Sequence, residues 1–267
     1  MSELIKKVFE ISRLTKTPSF IAYITAGDPN FEMTIKIAEI LIASGVKILE
    51  LGIPFSDPLA DGEVNQLSAQ RALNSHTTVE DVLKISSEIK KRHKEIPIVL
   101  YTYLNPIAFA RDFDTFCRQA YNSGVDSLLL LDLTPEEGKN YKITAEKNGL
   151  SIVALVTPNT KEKRIEKIVN FCSSFIYYVS REGVTGERSD FASDAKENIN
   201  RIKKYTNLPI AVGFGISKPE HVKAASNCNV DGIVVGSAIV KKIENIANAN
   251  GNLQDLKLFV TSLTETL

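Results

Sequence analysis

Short apolar runs alternate with longer amphipathic stretches along almost the whole chain. The runs are Ser19–Thr25, Val46–Leu51, Pro97–Tyr103, Val125–Leu131, Ser151–Val156, Ser174–Val179, Pro209–Val212 and Val230–Val235. Their content of Val, Ile and Leu, and the turn residues that bound them, predict strands. The stretches between them, Phe31–Ser44, Asn65–Leu73, Thr78–His93, Asp112–Asn122, Pro135–Asn148, Lys161–Asn170, Asp194–Tyr205, Pro219–Ser226 and Leu253–Thr264, are spaced for helices with one apolar face. A run such as Val125-Asp-Ser-Leu-Leu-Leu-Leu131 has little alternation, which fits a strand covered on both faces of a parallel sheet.

The pattern amounts to eight strand-then-helix units, which match an α/β fold of the (β/α)₈ TIM-barrel type. An open doubly wound sheet also alternates, but it carries a glycine fingerprint after its first strand. Here the first strand runs into Thr25-Ala-Gly-Asp-Pro29, a turn. No linker rich in Gly, Ser or Pro interrupts the pattern, so residues 1–267 are expected to form a single (β/α)₈ domain. Met1–Leu14 reads as an extra N-terminal amphipathic helix that closes the bottom of the barrel.

Composition narrows the function classes. The chain has 32 basic and 32 acidic residues and a formal net charge of zero. That balance argues against a nucleic-acid footprint or a polybasic membrane surface. No apolar stretch approaches the roughly 20 residues of a membrane helix, and the start has no apolar signal core. Cys117, Cys172 and Cys228 are odd in number and far apart, which fits buried free thiols in a cytoplasmic protein. His76, His93 and His221 show no paired metal spacing, so no metal is expected.

Barrel enzymes place their chemistry at the C-terminal ends of the strands. Tyr23, Thr25, Glu50, Tyr101, Tyr103, Asn105, Asp132, Thr157, Tyr177 and Ser180 occupy those ends. Glu50 is the most informative, because Val46-Lys-Ile-Leu-Glu-Leu-Gly52 buries a carboxylate at the end of a strand. Burial disfavours the charged form and raises the pKa toward neutrality. Asp61 follows a loop stiffened by Pro54 and Pro58 and can return to the same mouth. A raised acid beside an ionised partner makes an acid/base pair.

Glycine-bearing loops follow the last three strands: Ser180-Arg-Glu-Gly-Val-Thr-Gly186, Gly213-Phe-Gly-Ile-Ser217 and Gly236-Ser-Ala238. Gly215 and Gly236 let backbone amides approach a phosphate, and Ser237 adds an amide and a hydroxyl at the start of a short helix, Ser237–Glu244. The sixth loop, with Gly183 and Gly186 as hinges, reads as a lid over that site.

The stretch Leu49-Glu-Leu-Gly-Ile-Pro-Phe-Ser-Asp-Pro-Leu-Ala-Asp-Gly62 resembles the signature of the tryptophan synthase alpha-subunit family. Thr25–Pro29, Tyr103-Leu-Asn-Pro106, Ser180–Gly186, Gly213–Ser217 and Gly236–Val240 resemble that family in the same order. The resemblance runs from about Phe20 to Lys242. It implies retro-aldol cleavage of indole-3-glycerol phosphate to indole and glyceraldehyde 3-phosphate. It also implies an α₂β₂ assembly, in which indole passes to a beta subunit that holds pyridoxal phosphate while this chain holds none.

On that resemblance Glu50 and Asp61 are the catalytic pair. Tyr177 orients the leaving hydroxyl, and Thr185 and Gly186 belong to the lid. Gly213, Phe214, Gly215, Gly236 and Ser237 hold the phosphate, and Pro54, Asp57 and Asn105 face the beta partner. Asp57 also reads as a turn former before Pro58. Tyr23 and Tyr101 line the indole slot or serve as core aromatics, and Tyr101 stands where the family commonly has an aliphatic residue.

The sequence departs from the family at Glu63 and Asn65, where proline and an apolar residue are usual. A third carboxylate near Asp61 would change its environment; at the first turn of a helix it would instead face solvent favourably. Two further readings stay open at this stage: a non-catalytic regulatory partner of a beta subunit, and a different phosphate-binding barrel such as an isomerase or epimerase.

Overall fold

The computed structural model describes residues 1–179, 188–213 and 215–267, with only the backbone described over 188–194. Helix α1 (Glu3–Thr15) starts where the Ser2 hydroxyl accepts the Ile5 amide and ends at Lys16 in a left-handed conformation. Ile5 and Phe9 lie one turn apart on its buried face.

Eight parallel strands follow: β1 (Ser19–Thr25), β2 (Ile48–Gly52), β3 (Ile98–Thr102), β4 (Ser127–Leu130), β5 (Ser151–Val156), β6 (Ile176–Val179), β7 (Ile210–Gly213) and β8 (Gly232–Val235). They pair in sequence order, and β8 pairs with β1 to close the barrel. The outer ring consists of α2 (Phe31–Ala43), α3 (Glu63–Asn74), α4 (Val79–Arg92), α5 (Phe113–Asn122), α6 (Lys139–Lys147), α7 (Glu162–Phe171), α8 (Arg188–Lys203), α9 (Pro219–Ser226), α10 (Ser237–Ala247) and α11 (Leu253–Thr264). The expected (β/α)₈ architecture is the one observed.

Several boundaries differ from the sequence expectation for local reasons. Val46 is not in β2, because its amide bonds the Leu41 carbonyl at 3.2 Å as α2 ends. The helix expected from Pro135 starts at Lys139, after a turn closed by the Gly138 amide on Thr134 O at 2.8 Å. Helix α3 begins at Glu63 and α8 at Arg188, ahead of the expected Asn65 and Asp194. A π-helical turn over Asn105–Phe109 was not expected; Asn-Pro reads as an ordinary turn, and five residues carry no periodicity.

Strand alternation sorts the core into two clusters. Phe20, Ala22, Ile24, Leu49 and Leu51 face outward into the shell between barrel and helices. Ile21, Ile48, Val99, Leu129, Val153, Phe175, Ala211 and Val234 face inward, and Ile5 and Phe9 of α1 join them from below. The Phe9 and Phe175 rings pack with centroids 5.3 Å apart. The N-terminal helix therefore plugs the barrel bottom, and burying each of its two large apolar side chains contributes about 1.5–3 kcal/mol.

At the opposite end, Arg71 of α3 donates two hydrogen bonds of 2.8 Å to the buried Asp28 carboxylate and lies 3.7 Å from Glu244 of α10. This arginine ties together the loop after β1, helix α3 and helix α10. Among the described residues no helix is long and apolar enough to cross a membrane. Cys117, Cys172 and Cys228 are buried and free, and burial pushes the Cys117 and Cys172 thiols up to about 12.

Candidate active site

A cavity of ≈ 660 Å³ opens at the C-terminal ends of the strands. Its floor is made by residues of the strands and their ends, among them Tyr23, Glu50, Tyr101, Leu131, Leu155, Tyr177 and Val234. Asp61 closes one side, and Gly213, Gly215, Gly236 and Ser237 form another.

Glu50 faces inward because Leu49 and Leu51 on either side are committed to the helix shell. It is 1% exposed, and neither carboxylate oxygen has a hydrogen-bond partner among the described residues. Desolvation alone pushes its pKa up to about 8. An acid of that kind is neutral near pH 7 yet close enough to neutrality to ionise during a reaction cycle. Burial at the strand end and a raised pKa are what the apolar run around Glu50 predicts.

Asp61 sits in a different setting. A turn closed by its own amide on Pro58 O at 3.0 Å returns the chain to the mouth. Tyr101 Oη donates to Asp61 Oδ1 at 2.8 Å, and Tyr103 Oη donates to Oδ2 at 2.7 Å. Tyr103 Oη also accepts the Ala60 amide at 2.9 Å, and Gln66 donates to Asp61 O at 2.8 Å. The two tyrosine hydroxyls thus hold both oxygens of the carboxylate. Tyr103 was only one name among the strand-end residues in the sequence. The signal that could have singled it out is its spacing from Tyr101, because residues two apart point the same way.

Tyr23 and Tyr101 pack edge-on with ring centroids 4.7 Å apart. Burial pushes the Tyr23 hydroxyl up most, and the Asp61 charge adds to it. The Tyr23 hydroxyl lies 3.2 Å from Thr25 Oγ1, which is 2.6 Å from Ser68 Oγ. The two tyrosines therefore wall the cavity and are also packed, so the slot and core readings both describe them. Tyr177 reaches the cavity from β6, where burial and then the Glu50 charge raise its hydroxyl pKa.

The proposed phosphate side is built on α10, which starts directly after β8. Gly236 occupies its N-cap without a side-chain cap, and the first amides to bond back to Gly236 O are those of Ile239 and Val240. The amides ahead of them lie at a helix N-terminus, a setting that suits an anion. Gly215 has a φ of +63°, a conformation glycine adopts without strain. Gly213 has a different reason: a Cβ there would lie 2.6 Å from Tyr177 Oη. Gly213→Ala is expected to displace Tyr177 and destabilise the fold by about 1–3 kcal/mol, readable as a lower melting temperature. Phe214, Thr185, Gly186 and the lid lie outside the described residues. Among the described residues no cluster of three or more His, Cys, Asp or Glu is placed to hold a metal.

The model of the family described as "Tryptophan synthase alpha chain" matches residues 9–267. The tryptophan synthase alpha chain of Opitutus terrae is 45% identical over 245 residues, covering 91% of each chain. This chain belongs to the tryptophan synthase alpha chain family. It is a lyase of tryptophan biosynthesis, in the alpha-subunit role. The alpha subunit of Legionella pneumophila superposes with a TM-score of 0.91 at 33% identity, over 100% of this chain and 98% of that one. A chain of the structure described as the tryptophan synthase α₂β₂ complex of Pyrococcus furiosus superposes with a TM-score of 0.83 at 37% identity, over 92% of this chain and 98% of that one.

Within this alpha chain the departures noted in the sequence find places. Glu63 is exposed at the first position of α3, where an acidic residue favours the helix dipole. Asn65 is half-buried, and its amide lies 3.4 Å from Asp61 Oδ1. Of the residues expected to face a partner, Asp57 and Asn105 are exposed, whereas Pro54 is buried. Leu59, 94% exposed, and Phe109, 73% exposed, lie near Asp57 and Asn105 in the chain.

Proposed function

We propose that this chain cleaves indole-3-glycerol phosphate to indole and glyceraldehyde 3-phosphate with Glu50 and Asp61 as its catalytic residues. The observation that carries the assignment is Glu50: a fully buried carboxylate at the cavity floor, with no protein partner among the described residues and a pKa pushed up to about 8.

Neutral Glu50 protonates the indole ring carbon that bears the side chain. This breaks the ring's aromaticity and leaves positive charge on the indole nitrogen. Asp61, ionised, accepts the indole N–H and stabilises that charge where it develops. The Glu50 carboxylate then takes the proton from the adjacent side-chain hydroxyl. The carbon–carbon bond breaks, its electron pair restores the aromatic ring, and the former hydroxyl carbon becomes the aldehyde of glyceraldehyde 3-phosphate. Glu50 ends the cycle neutral, as it began. Tyr177 orients the leaving hydroxyl, and Tyr23 and Tyr101 wall the indole slot. Gly213, Gly215, Gly236 and Ser237, with the N-terminus of α10, hold the phosphate. That handle fixes the reacting carbon over Glu50. Thr185, Gly186 and Phe214 complete the lid and the phosphate side on the family pattern.

Every proton in this scheme moves through a side chain of the chain itself, so it works without a cofactor of its own. The partner is a beta subunit carrying pyridoxal phosphate, docked over the Asp57 and Asn105 rim of the mouth, with Pro54 shaping the loop from below. The exposed Leu59 and Phe109 suit a surface covered on assembly, and the Pyrococcus furiosus structure is described as a tryptophan synthase α₂β₂ complex. The protein acts as one catalytic domain in the cytoplasm. Purified chain is expected to release indole from indole-3-glycerol phosphate, slowly alone and faster with a beta subunit. An absence of indole release under both conditions would show the assignment to be wrong.

A further inference from the structure

We infer that Tyr101 is a positioning residue for Asp61, its hydroxyl fixing the carboxylate oxygen that faces the indole slot. The inference rests on the proposed role of Asp61 and deepens it.

Four observations meet at this residue. Tyr101 is the inward-facing residue near the end of β3, next to Gly52 of β2 in the register and walling the same cavity as Glu50. Its ring is held by the edge contact with Tyr23 at 4.7 Å, so its hydroxyl has little freedom to swing away. That hydroxyl donates to Asp61 Oδ1 at 2.8 Å. Tyr103, two residues on and pointing the same way, donates to the other oxygen at 2.7 Å.

The two hydroxyls, from the end of β3 and the residue just past it, hold both oxygens of the carboxylate. A lone aspartate on a loop can rotate about two side-chain bonds; one held at both oxygens by O–H donors has a fixed plane. A carboxylate oxygen has lone pairs for more than one donor, so Oδ1 can keep the Tyr101 bond and still accept an indole N–H. The Tyr101 bond therefore sets the direction from which that N–H is accepted. An aliphatic side chain at this position would leave Oδ1 with only the longer 3.4 Å bond from the Asn65 amide, and the plane of the carboxylate less firmly held.

This effect falls mainly on the transition state. The charge on the indole nitrogen develops only as the ring is protonated, so a misdirected Asp61 loses more there than in the bound ground state. Tyr101→Phe keeps the ring and its contact with Tyr23 but removes the hydroxyl. It is expected to lower kcat about tenfold, the low end for losing a hydrogen bond to a charged group, while KM changes little.

The test measures kcat and KM for indole release by the full chain with beta subunit, for the wild type, Tyr101→Phe, Tyr101→Leu and Asp61→Asn. Alongside, it measures the affinity of each for indolepropanol phosphate and for its N-methyl derivative. The wild type is expected to prefer the N–H compound, and Tyr101→Phe to lose most of that preference while its melting temperature stays near that of the wild type. A structural role alone would not move that ratio. If Tyr101→Phe keeps wild-type kcat and the same preference while Tyr101→Leu is impaired, the ring does the work and the inference is overturned. If Asp61→Asn is inactive in that same experiment, the assignment of Asp61 survives the failure. If Asp61→Asn is as active as the wild type, both the assignment and the inference fall.

Discussion

Glu50→Gln is expected to lower kcat for indole release by about 10²–10⁴-fold, the range for removing a positioned general acid and base. Glutamine has nearly the same shape, so the cavity floor keeps its packing, but it can neither donate nor accept the proton that moves twice in the cycle. The wild-type enzyme should lose kcat/KM as the pH rises through about 8, because Glu50 must start neutral.

The same residue predicts an inverse effect on stability. Unfolded, Glu50 titrates near its ordinary 4.5; folded, near 8. Between these values the folded chain holds a proton that the unfolded chain has released, so its stability falls as pH rises through that window and levels off above it. Glu50→Gln has no such proton. It is expected to be more stable than the wild type at alkaline pH, by an amount on the order of a few kcal/mol. Thermal melting of both proteins from acidic to alkaline pH checks this. A dead variant that melts higher at alkaline pH would be the signature of a buried acid kept for chemistry at a cost in stability. Full turnover by Glu50→Gln would remove it from the mechanism.

Asp61→Asn is expected to lower kcat by about 10²–10³-fold, comparable to losing one preorganised group that stabilises transition-state charge. The amide keeps an oxygen but no charge, and its NH₂ group can turn toward the indole nitrogen. The affinity for indolepropanol phosphate should fall much less than kcat, since the mimic never develops the ring charge. Equal losses in both would show that Asp61 binds the ring without assisting the reaction. Titration of the mimic by calorimetry, set beside steady-state rates, separates the two outcomes.

How much was legible in the sequence differs from residue to residue, for physical reasons. Glu50 could be read because a carboxylate inside an apolar strand is a conflict between burial and charge, and such conflicts stand out in a string of letters. Its direction could not be read from the run alone, because Leu49 and Leu51 are as apolar as the barrel lining; the closed register decides which face each residue takes. Asp61 was readable as a loop residue, but its two tyrosine partners were not. Those bonds join a loop to a strand 40 and 42 residues further along the chain, and nothing local encodes such a distance. Gly213 was expected as a phosphate residue; the fold adds that its missing Cβ makes room for Tyr177. Pro54 was expected at a partner surface and is buried within this chain.

The sequence by itself determined the alternation of strands and helices, the N-terminal amphipathic helix, the burial of Glu50 and the glycines after the last strands. These follow from local periodicity and from the conformations that each residue tolerates. Only the tertiary structure decided which strand residues face the cavity, that Asp61 is held at both oxygens by Tyr101 and Tyr103, and that Arg71 ties α3 to α10. Those depend on closing the barrel, which brings together groups far apart in the chain.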